Sequence, residues 1–309
     1  MPGPASEGAL ALDPAPYLPF LANALAEDLG KGDATTRALV PEGATTVADL
    51  LAKQDGVLAG VALLEPTIRI LDPDATVEAV AKDGDRVKPG QRLATVRGRS
   101  RAVLGSERTA LNVLRKLSGV ATLTARFVAA VGDLPVEILD TRKTTPGWRD
   151  LEKYAVRCGG GHNHRLRLDD GAMVKENHLM AAFGRTGPTA LAEAVRRLRA
   201  ALPAGFPLCI EVEDAAELEA VADEGLEVIL LDNFDVGGLR RAVAYVRSRP
   251  GPHPKLEATG GVTLESVRGI AETGVDRISI GALTHSAPAL DLSIRHRARS
   301  QGNFSHSPV

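Results

Sequence analysis

Between residues 136 and 282 six short apolar runs alternate with amphipathic stretches, and this alternation narrows the possible folds more than any other feature of the chain. The runs are "VEILDTR", "AMVKENH", "LCIEVE", "EVILLDN", "KLEATGG" and "RISIGA". Between them lie "TALAEAVRRLRAAL", "DAAELEAVADEG", "GLRRAVAYVRS" and "TLESVRGIAETG", with apolar residues at helical spacing. Strands alternating with helices predict βα units and a parallel sheet. Nearly every run ends in polar or Gly-rich residues. Both a barrel and a doubly wound sheet bind ligands at the C-terminal ends of their strands. Repeated lysine, carboxylate and glycine ends favour the barrel. Six clear strands leave it either incomplete or with strands that this pattern does not mark.

The first third is mixed. "PYLPFLANALAEDLG" has helical spacing and ends at Gly30, while "ATTVADLLAKQDGVLAGVALLEP" and "ATVEAVAKDGDRVKPGQRLATVRG" carry β-type runs broken by Asp-Gly and Pro-Gly turns. Within the latter, "DGDRVKPGQRLATV" is expected to form a structural hairpin. A helix is expected from Ser106 to about Val131, with Leu111, Leu114 and Leu117 at steps of three. The 309 residues suffice for one large domain or two ordinary ones. A net charge of −2 exerts no general pull on nucleic acid or anionic membrane, and one Trp and three Tyr make a poor base-stacking platform. The two cysteines, Cys158 and Cys209, fit reduced thiols better than a disulfide framework. No apolar run approaches membrane-spanning length, and the N-terminus lacks the basic and apolar regions of a secretory signal, so a cytoplasmic location is expected. The polar tail "RARSQGNFSHSPV" is expected to fray.

Positive charge is concentrated between Arg142 and Lys175. Arg149, Lys153 and Arg157 recur every four residues on an expected helix, with Asp150 and Glu152 nearby, and fit a solvated face. Arg142, Lys143 and Lys175 instead terminate apolar strands, where a barrel builds its site. In "CGGGHNHRLRL" the glycines permit close backbone approach to a ligand. His162 and His164 suggest a metal pair, but Arg165 follows directly, and recognition of an anion by His164 and Arg165 suits that setting better. Two strands end in acids. Alternation puts Glu211 and Glu213 on one face, with room for only one at a ligand, and Asp232 closes the next strand. Carboxylates facing a cationic pocket suit sugar hydroxyls, a Mg²⁺-bound diphosphate or a developing cation. The last two strands end in small residues, Thr259, Gly260 and Gly261, then Gly281 and Ala282, which suit a phosphate. No Ser-His-Asp order and no P-loop pattern occurs. The residues thus predict a pocket for an anionic small molecule beside a phosphorylated sugar, and glycosyl or phosphoribosyl transfer fits it.

The segments "ALAEDLGKGDATT", "GVLAG", "SERTALNVLRKLSGVAT", "DTRKTTPGWRDLEKYAVRCGGGHNHRLRLDDGAMVKENH", "IEVE", "LLDNF", "EATGGV" and "ISIGALTHSAPALD" resemble the quinolinate phosphoribosyltransferase family, over roughly residues 20–295. The resemblance implies an α/β fold: a sandwich-like N-terminal α/β domain over residues 1–118, joined by 290–309, and an incomplete parallel α/β barrel over 119–289. It implies a pentosyltransferase reaction in which quinolinate and phosphoribosyl diphosphate give nicotinate mononucleotide, CO₂ and diphosphate, with Mg²⁺ and no organic cofactor. Carried over, Arg142, His164, Arg165 and Lys175 hold the quinolinate carboxylates and neighbouring phosphate, and Lys143 contacts the substrates at the same mouth. Glu211 and Asp232 form an acidic pair beside the ribose and Mg²⁺-diphosphate. Thr259, Gly260 and Gly281 match the 5′-phosphate loops; the family usually has serine where Thr259 stands, and the hydroxyl is kept. Lys143, Glu211 and Asp232 are the expected catalytic residues. Arg108, taken to lie at a helix start, resembles a residue donated by a partner subunit, implying a homodimer or a larger assembly such as a hexamer. The rival readings are a paralogue acting on another pyridine or aromatic acid, a non-catalytic phosphosugar-binding protein, and a metal hydrolase resting on His162 and His164.

Overall fold

The structure, a computed structural model, describes residues 10–298. The expectations for the extreme N-terminus and most of the polar tail fall outside these residues. The described chain divides into two compact units, residues 10–122 with 288–298, and residues 123–287.

In the first unit β1 (Thr45–Ala52), β5 (Arg92–Arg99), β3 (Thr76–Ala79) and β12 (Leu292–His296) form an antiparallel sheet in the order β12-β1-β5-β3. Along β1 every second residue, Ala48, Leu50 and Ala52, is buried, so the two-residue period of a strand sets its core face. That face packs with Leu64 and Ile68 of α3 (Leu64–Arg69) and Leu111 and Leu114 of α4 (Ser100–Val131). Helices α1 (Leu18–Leu29) and α2 (Ala34–Leu39) precede the sheet, and Asp33 caps α2 by accepting from the Thr36 N–H at 2.9 Å.

Three expectations are corrected here. The run "GVALLEP" is not β-type: Val61–Leu63 is a 3-10 turn and α3 follows it. Its buried residues Leu63, Leu64, Thr67 and Ile68 have helical spacing, which a short apolar run does not distinguish from a strand. The expected hairpin does not form as such. Its first arm, β4 (Arg86–Val87), pairs with β2 (Gly56–Val57), while β5 pairs with β1 and β3. The long helix starts at Ser100 directly after β5, not at Ser106. Ser106 is no cap; its buried hydroxyl donates to the Ala102 carbonyl one turn back at 2.8 Å. Arg108 therefore lies inside the helix rather than at its start, and it is exposed.

In the second unit β6 (Glu137–Leu139), β7 (Ala172–Val174), β8 (Leu208–Val212), β9 (Val228–Asp232), β10 (Lys255–Thr259) and β11 (Arg277–Ser279) form one parallel sheet in the order β6-β11-β10-β9-β8-β7. These are the six apolar runs. The order is cyclic with a single break, between β6 and β7, so the barrel is incomplete. Helices α5 (Arg149–Cys158), α6 (Glu176–Phe183), α7 (Pro188–Ala201), α8 (Ala215–Val221), α9 (Val236–Arg247), α10 (Val267–Ala271) and α11 (Ala282–His285) alternate with the strands.

At the break, the free edge of β6 is covered by the glycine loop. Leu139 and His162 form a parallel bridge, with the His162 N–H donating to Ile138 O at 2.8 Å and Asp140 N–H to His162 O at 3.1 Å. Only glycine fits at Gly161, where a Cβ would lie 2.7 Å from Thr124 Cγ2 and 2.9 Å from Val156 Cγ1. Cys158 and Cys209 are buried thiols and form no disulfide.

Candidate active site

A cavity of about 360 Å³ opens at the C-terminal ends of the parallel strands. Arg142, Lys143, His164, Arg165, Lys175, Glu211, Asp232, Thr259 and Gly260 all line it, with Thr141, Met173, Leu230, Glu257 and Ser279. The strands deliver these side chains by register. Glu257 stands opposite Leu230, and Thr259 opposite Asp232, so both pairs face the same interior. Lys175 is the N-cap of α6, directly after β7. Gly281 does not line the cavity but backs it: a Cβ there would sit 3.1 Å from Lys143 Cδ. Gly260 has φ +94°, and its missing Cβ would meet Asn233 Oδ1 at 2.2 Å, so glycine lets the β10 turn close on the β9 end.

The lining is cationic on one side. Arg142 is half-buried, and its Nε is fully buried without a hydrogen-bond partner among the described residues. Such a donor is costly to leave unpaired. Burial, and after it the neighbouring Arg142, pushes the Arg165 guanidinium below its ordinary value. Two guanidinium groups that repel one another beside an unpaired N–H make a site whose strain an anion relieves. Arg165 is steered by its Nη1 donating to Gly171 O at 2.5 Å.

Carboxylates face this cluster. Glu211 is ion-paired with Lys175, and Asp232 accepts from Asn233 Nδ2 at 2.9 Å. Glu213 does not reach the cavity; it is exposed, and its N–H donates to Glu217 at 2.9 Å. Partial desolvation, then the Glu176 and Glu217 charges, raises its carboxyl. His162 is exposed while His164 is buried, so the two rings do not converge. Among the described residues no group of three or more His, Cys, Asp or Glu is arranged to hold a metal. Glu211 and Asp232 offer two carboxylates on adjacent strands, which suits a Mg²⁺ whose other ligands are phosphate oxygens and water.

Two features escaped the sequence reading. Glu257 lies fully buried in the floor of the cavity; His164 Nε2 is 3.5 Å from its Oε1, too long for a good hydrogen bond, and neither oxygen has a hydrogen-bond partner among the described residues. It heads the motif "EATGG", whose small residues Thr259, Gly260 and Gly261 carry the more evident phosphate signal. The second is a correction. Lys153 and Glu152 are not on a solvated face but are 1% and 0% exposed. Lys153 pairs with Asp140, and Glu152 accepts from the Thr145 N–H at 3.0 Å and its hydroxyl at 2.8 Å. Arg149 is half-buried and donates to Thr144 Oγ1 at 3.1 Å, and only Arg157 of the three basic residues is exposed as expected. Charge at helical spacing identifies one face of a helix, not which way that face points.

Arg108 lies in α4, outside the parallel-sheet unit, and does not line the cavity. Among the described residues no helix is long and apolar enough to cross a membrane.

Comparison with known proteins reaches both units. The family models for the N-terminal and C-terminal domains of quinolinate phosphoribosyl transferase match residues 33–118 and 120–295. A Mycobacterium leprae protein named nicotinate-nucleotide pyrophosphorylase [carboxylating] is 43% identical over 277 residues, covering 88% of this chain and 94% of its own. A Synechocystis protein named "Probable nicotinate-nucleotide pyrophosphorylase [carboxylating]" is 42% identical, covering 90% of this chain and 91% of its own. The crystal structure of NadC from Streptococcus pyogenes superposes with a TM-score of 0.84 at 37% identity, covering 92% of this chain and 97% of that one. With both domain models matched in order and relatives above 40% identity over nearly the full length, the chain belongs to the quinolinate phosphoribosyltransferase family.

Proposed function

We propose that this protein transfers a phosphoribosyl group from phosphoribosyl diphosphate to quinolinate with loss of CO₂, yielding nicotinate mononucleotide and diphosphate for NAD biosynthesis. The observation that carries this reading is a pair of neighbouring guanidinium groups, Arg165 and Arg142 with its unpaired Nε, beside three carboxylates in one strand-end cavity. Quinolinate is a dicarboxylate, and forked arginines match carboxylates two hydrogen bonds at a time.

Arg142, Arg165, His164 and Lys175 hold the ring carboxylates and the adjoining phosphate, and Lys143 reaches both substrates from the exposed rim. Thr259 and Gly260 take the 5′-phosphate, with Gly281 behind Lys143 at the next strand end. As the bond between ribose C1 and diphosphate breaks, positive character grows on the sugar, and Glu211 and Asp232 stabilise it. For this Glu211 must leave Lys175, an exposed pairing that is weak enough to exchange. Glu211 and Asp232 would also hold Mg²⁺, which supplies charge neutralisation for the departing diphosphate. The pyridine nitrogen attacks C1 and becomes quaternary. The bond from C2 to its carboxylate then breaks, CO₂ leaves, and the electron pair on C2, stabilised by the adjacent positive nitrogen, takes a proton from water. No protein nucleophile and no organic cofactor is needed. The protein acts in the cytoplasm as a homodimer in which Arg108 of each chain serves the other chain's cavity.

One assay tests the reaction: quinolinate or nicotinate is supplied with phosphoribosyl diphosphate and Mg²⁺, and CO₂ and diphosphate are followed together. Quinolinate is expected to release the two in equal amounts and nicotinate to release neither. Turnover of nicotinate, or transfer without CO₂, would assign the site to another pyridine acid.

A further inference from the structure

The glycine loop that covers the open edge of β6 also carries His164 and Arg165 into the cavity, and a loop is a poor support for side chains that must be aimed. Here its backbone is gripped from below. The His164 N–H donates to Asp140 Oδ1 at 2.9 Å, and the His164 carbonyl accepts from Lys153 Nζ at 2.9 Å. Asn163 Nδ2 donates to Asp140 Oδ2 at 2.6 Å and to the Lys153 carbonyl at 2.9 Å. Lys153 and Asp140 are themselves ion-paired, with side chains 2% and 0% accessible. With its backbone held on both sides, His164 turns its Nδ1 to accept the Arg165 N–H at 2.8 Å, which leaves Nε2 toward Glu257. Asp140, Lys153 and Asn163 do not line the cavity.

We infer that Lys153 and Asp140 are positioning residues: their buried pair, with Asn163, clamps the loop at His164 and so aims His164 and Arg165 at the carboxylates of the ring substrate. The position is otherwise an expensive one. Burial raises the Asp140 carboxyl and lowers the Lys153 ammonium, in each case more than the partner's charge opposes it. A buried pair of this kind is weak support for stability in itself, and apolar or neutral replacements of both members are often tolerated. Its hydrogen bonds converge on the backbone of one residue, the one that precedes Arg165. Lys153 reaches this point because it lies one turn after Arg149 on α5, on the helix face turned toward the end of β6.

The inference rests on the proposed reaction for its kinetic test, and the variants Lys153→Met and Asp140→Asn/Lys153→Met separate positioning from stability. Lys153→Met strands the Asp140 charge and is expected to lower the melting temperature; the double variant buries no lone charge and is expected to recover it. In both, KM for quinolinate is expected to rise at least about tenfold while KM for phosphoribosyl diphosphate changes less than about threefold. A double variant whose quinolinate KM returns to normal along with its melting temperature would overturn the inference, as would an equal rise in both KM values. Amide exchange at residues 163–165, followed by NMR in the ligand-free protein, gives a readout that does not depend on the substrate. Both variants are expected to exchange about tenfold faster there than the wild type, and unchanged exchange would overturn the clamp. Failure of the wild type to use quinolinate would refute the reaction and leave the exchange result to decide the clamp.

Discussion

Two lysine–carboxylate pairs stand at strand ends of the same parallel sheet, and they differ in one physical respect. Lys153 and Asp140 have side-chain accessibilities of 2% and 0%, whereas Lys175 and Glu211 have 46% and 12%. The buried pair has further hydrogen bonds from Asn163 and to the backbone of His164, and exchanging its partners would strand a charge in a dry interior. The exposed pair lines the cavity, where water and substrate phosphate compete for the lysine. The same chemical contact is thus scaffold beneath the cavity and a releasable part at its rim. Burial, not the identity of the residues, divides the two roles.

The most direct way to break this contrast is to cut each pair at its lysine. Lys153→Met is expected to destabilise the fold by about 3–5 kcal/mol in urea unfolding, since it leaves a buried carboxylate without its cation. Lys175→Met should change stability by no more than about 0.5 kcal/mol while greatly reducing turnover. Equal stability losses would erase the distinction. Next in size, Arg142→Ala should raise KM for quinolinate about a hundredfold, corresponding to roughly 3 kcal/mol for a charge-assisted pair of hydrogen bonds, with KM for phosphoribosyl diphosphate nearly unmoved. Steady-state kinetics with each substrate varied in turn decides this, and equal losses would mean that Arg142 serves the phosphates.

Chemical labelling sharpens the contrast between floor and rim. Cys209 packs with Val228, Leu230 and Met173, and burial, followed by the nearby Glu257 charge, pushes its thiol up to about 12. A raised thiol value means the reactive thiolate is scarce below it; at pH 8 its fraction is roughly 10⁻⁴. Iodoacetamide should therefore modify Cys209 in the native protein only at the rate of unfolding, and fast modification would show a floor open to water. The smallest effect is expected at Thr259→Ser, which keeps the hydroxyl; KM for phosphoribosyl diphosphate should stay within about twofold, whereas Thr259→Val should raise it by about five- to tenfold, the equivalent of one neutral hydrogen bond. Matching values for both variants would take the Thr259 hydroxyl out of phosphate binding.

Much of the parallel-sheet unit is legible in the sequence. The six strands are the six apolar runs, because a strand buried on both faces has to be apolar along its length. Nine of the expected site residues line one cavity because barrel geometry collects the C-terminal ends of strands. The antiparallel unit was less legible. "VALLEP" is short, and β4 is only two residues long, too brief for any period to register. The long helix starts six residues before the expected Ser106, whose hydroxyl bonds back into the preceding turn of a helix already under way.

Residue order alone determined that lysine, arginine and carboxylate would stand at strand ends, since that depends only on where each apolar run stops. It placed three glycines before His162, but not their purpose: at Gly161 the close approach is to Thr124 and Val156 rather than to a ligand. Only the tertiary structure decided which charges work and which hold the frame. Lys153 and Arg157 share a helix and a charge, yet one is sealed against Asp140 and the other faces water over the Tyr154 ring at 5.6 Å. Alternation would put Glu211 and Glu213 on one face, yet β8 ends at Val212 and only Glu211 lines the cavity. The energy of a charge is set by the dielectric and the partners around it, and those belong to the packing of distant segments rather than to any stretch of sequence.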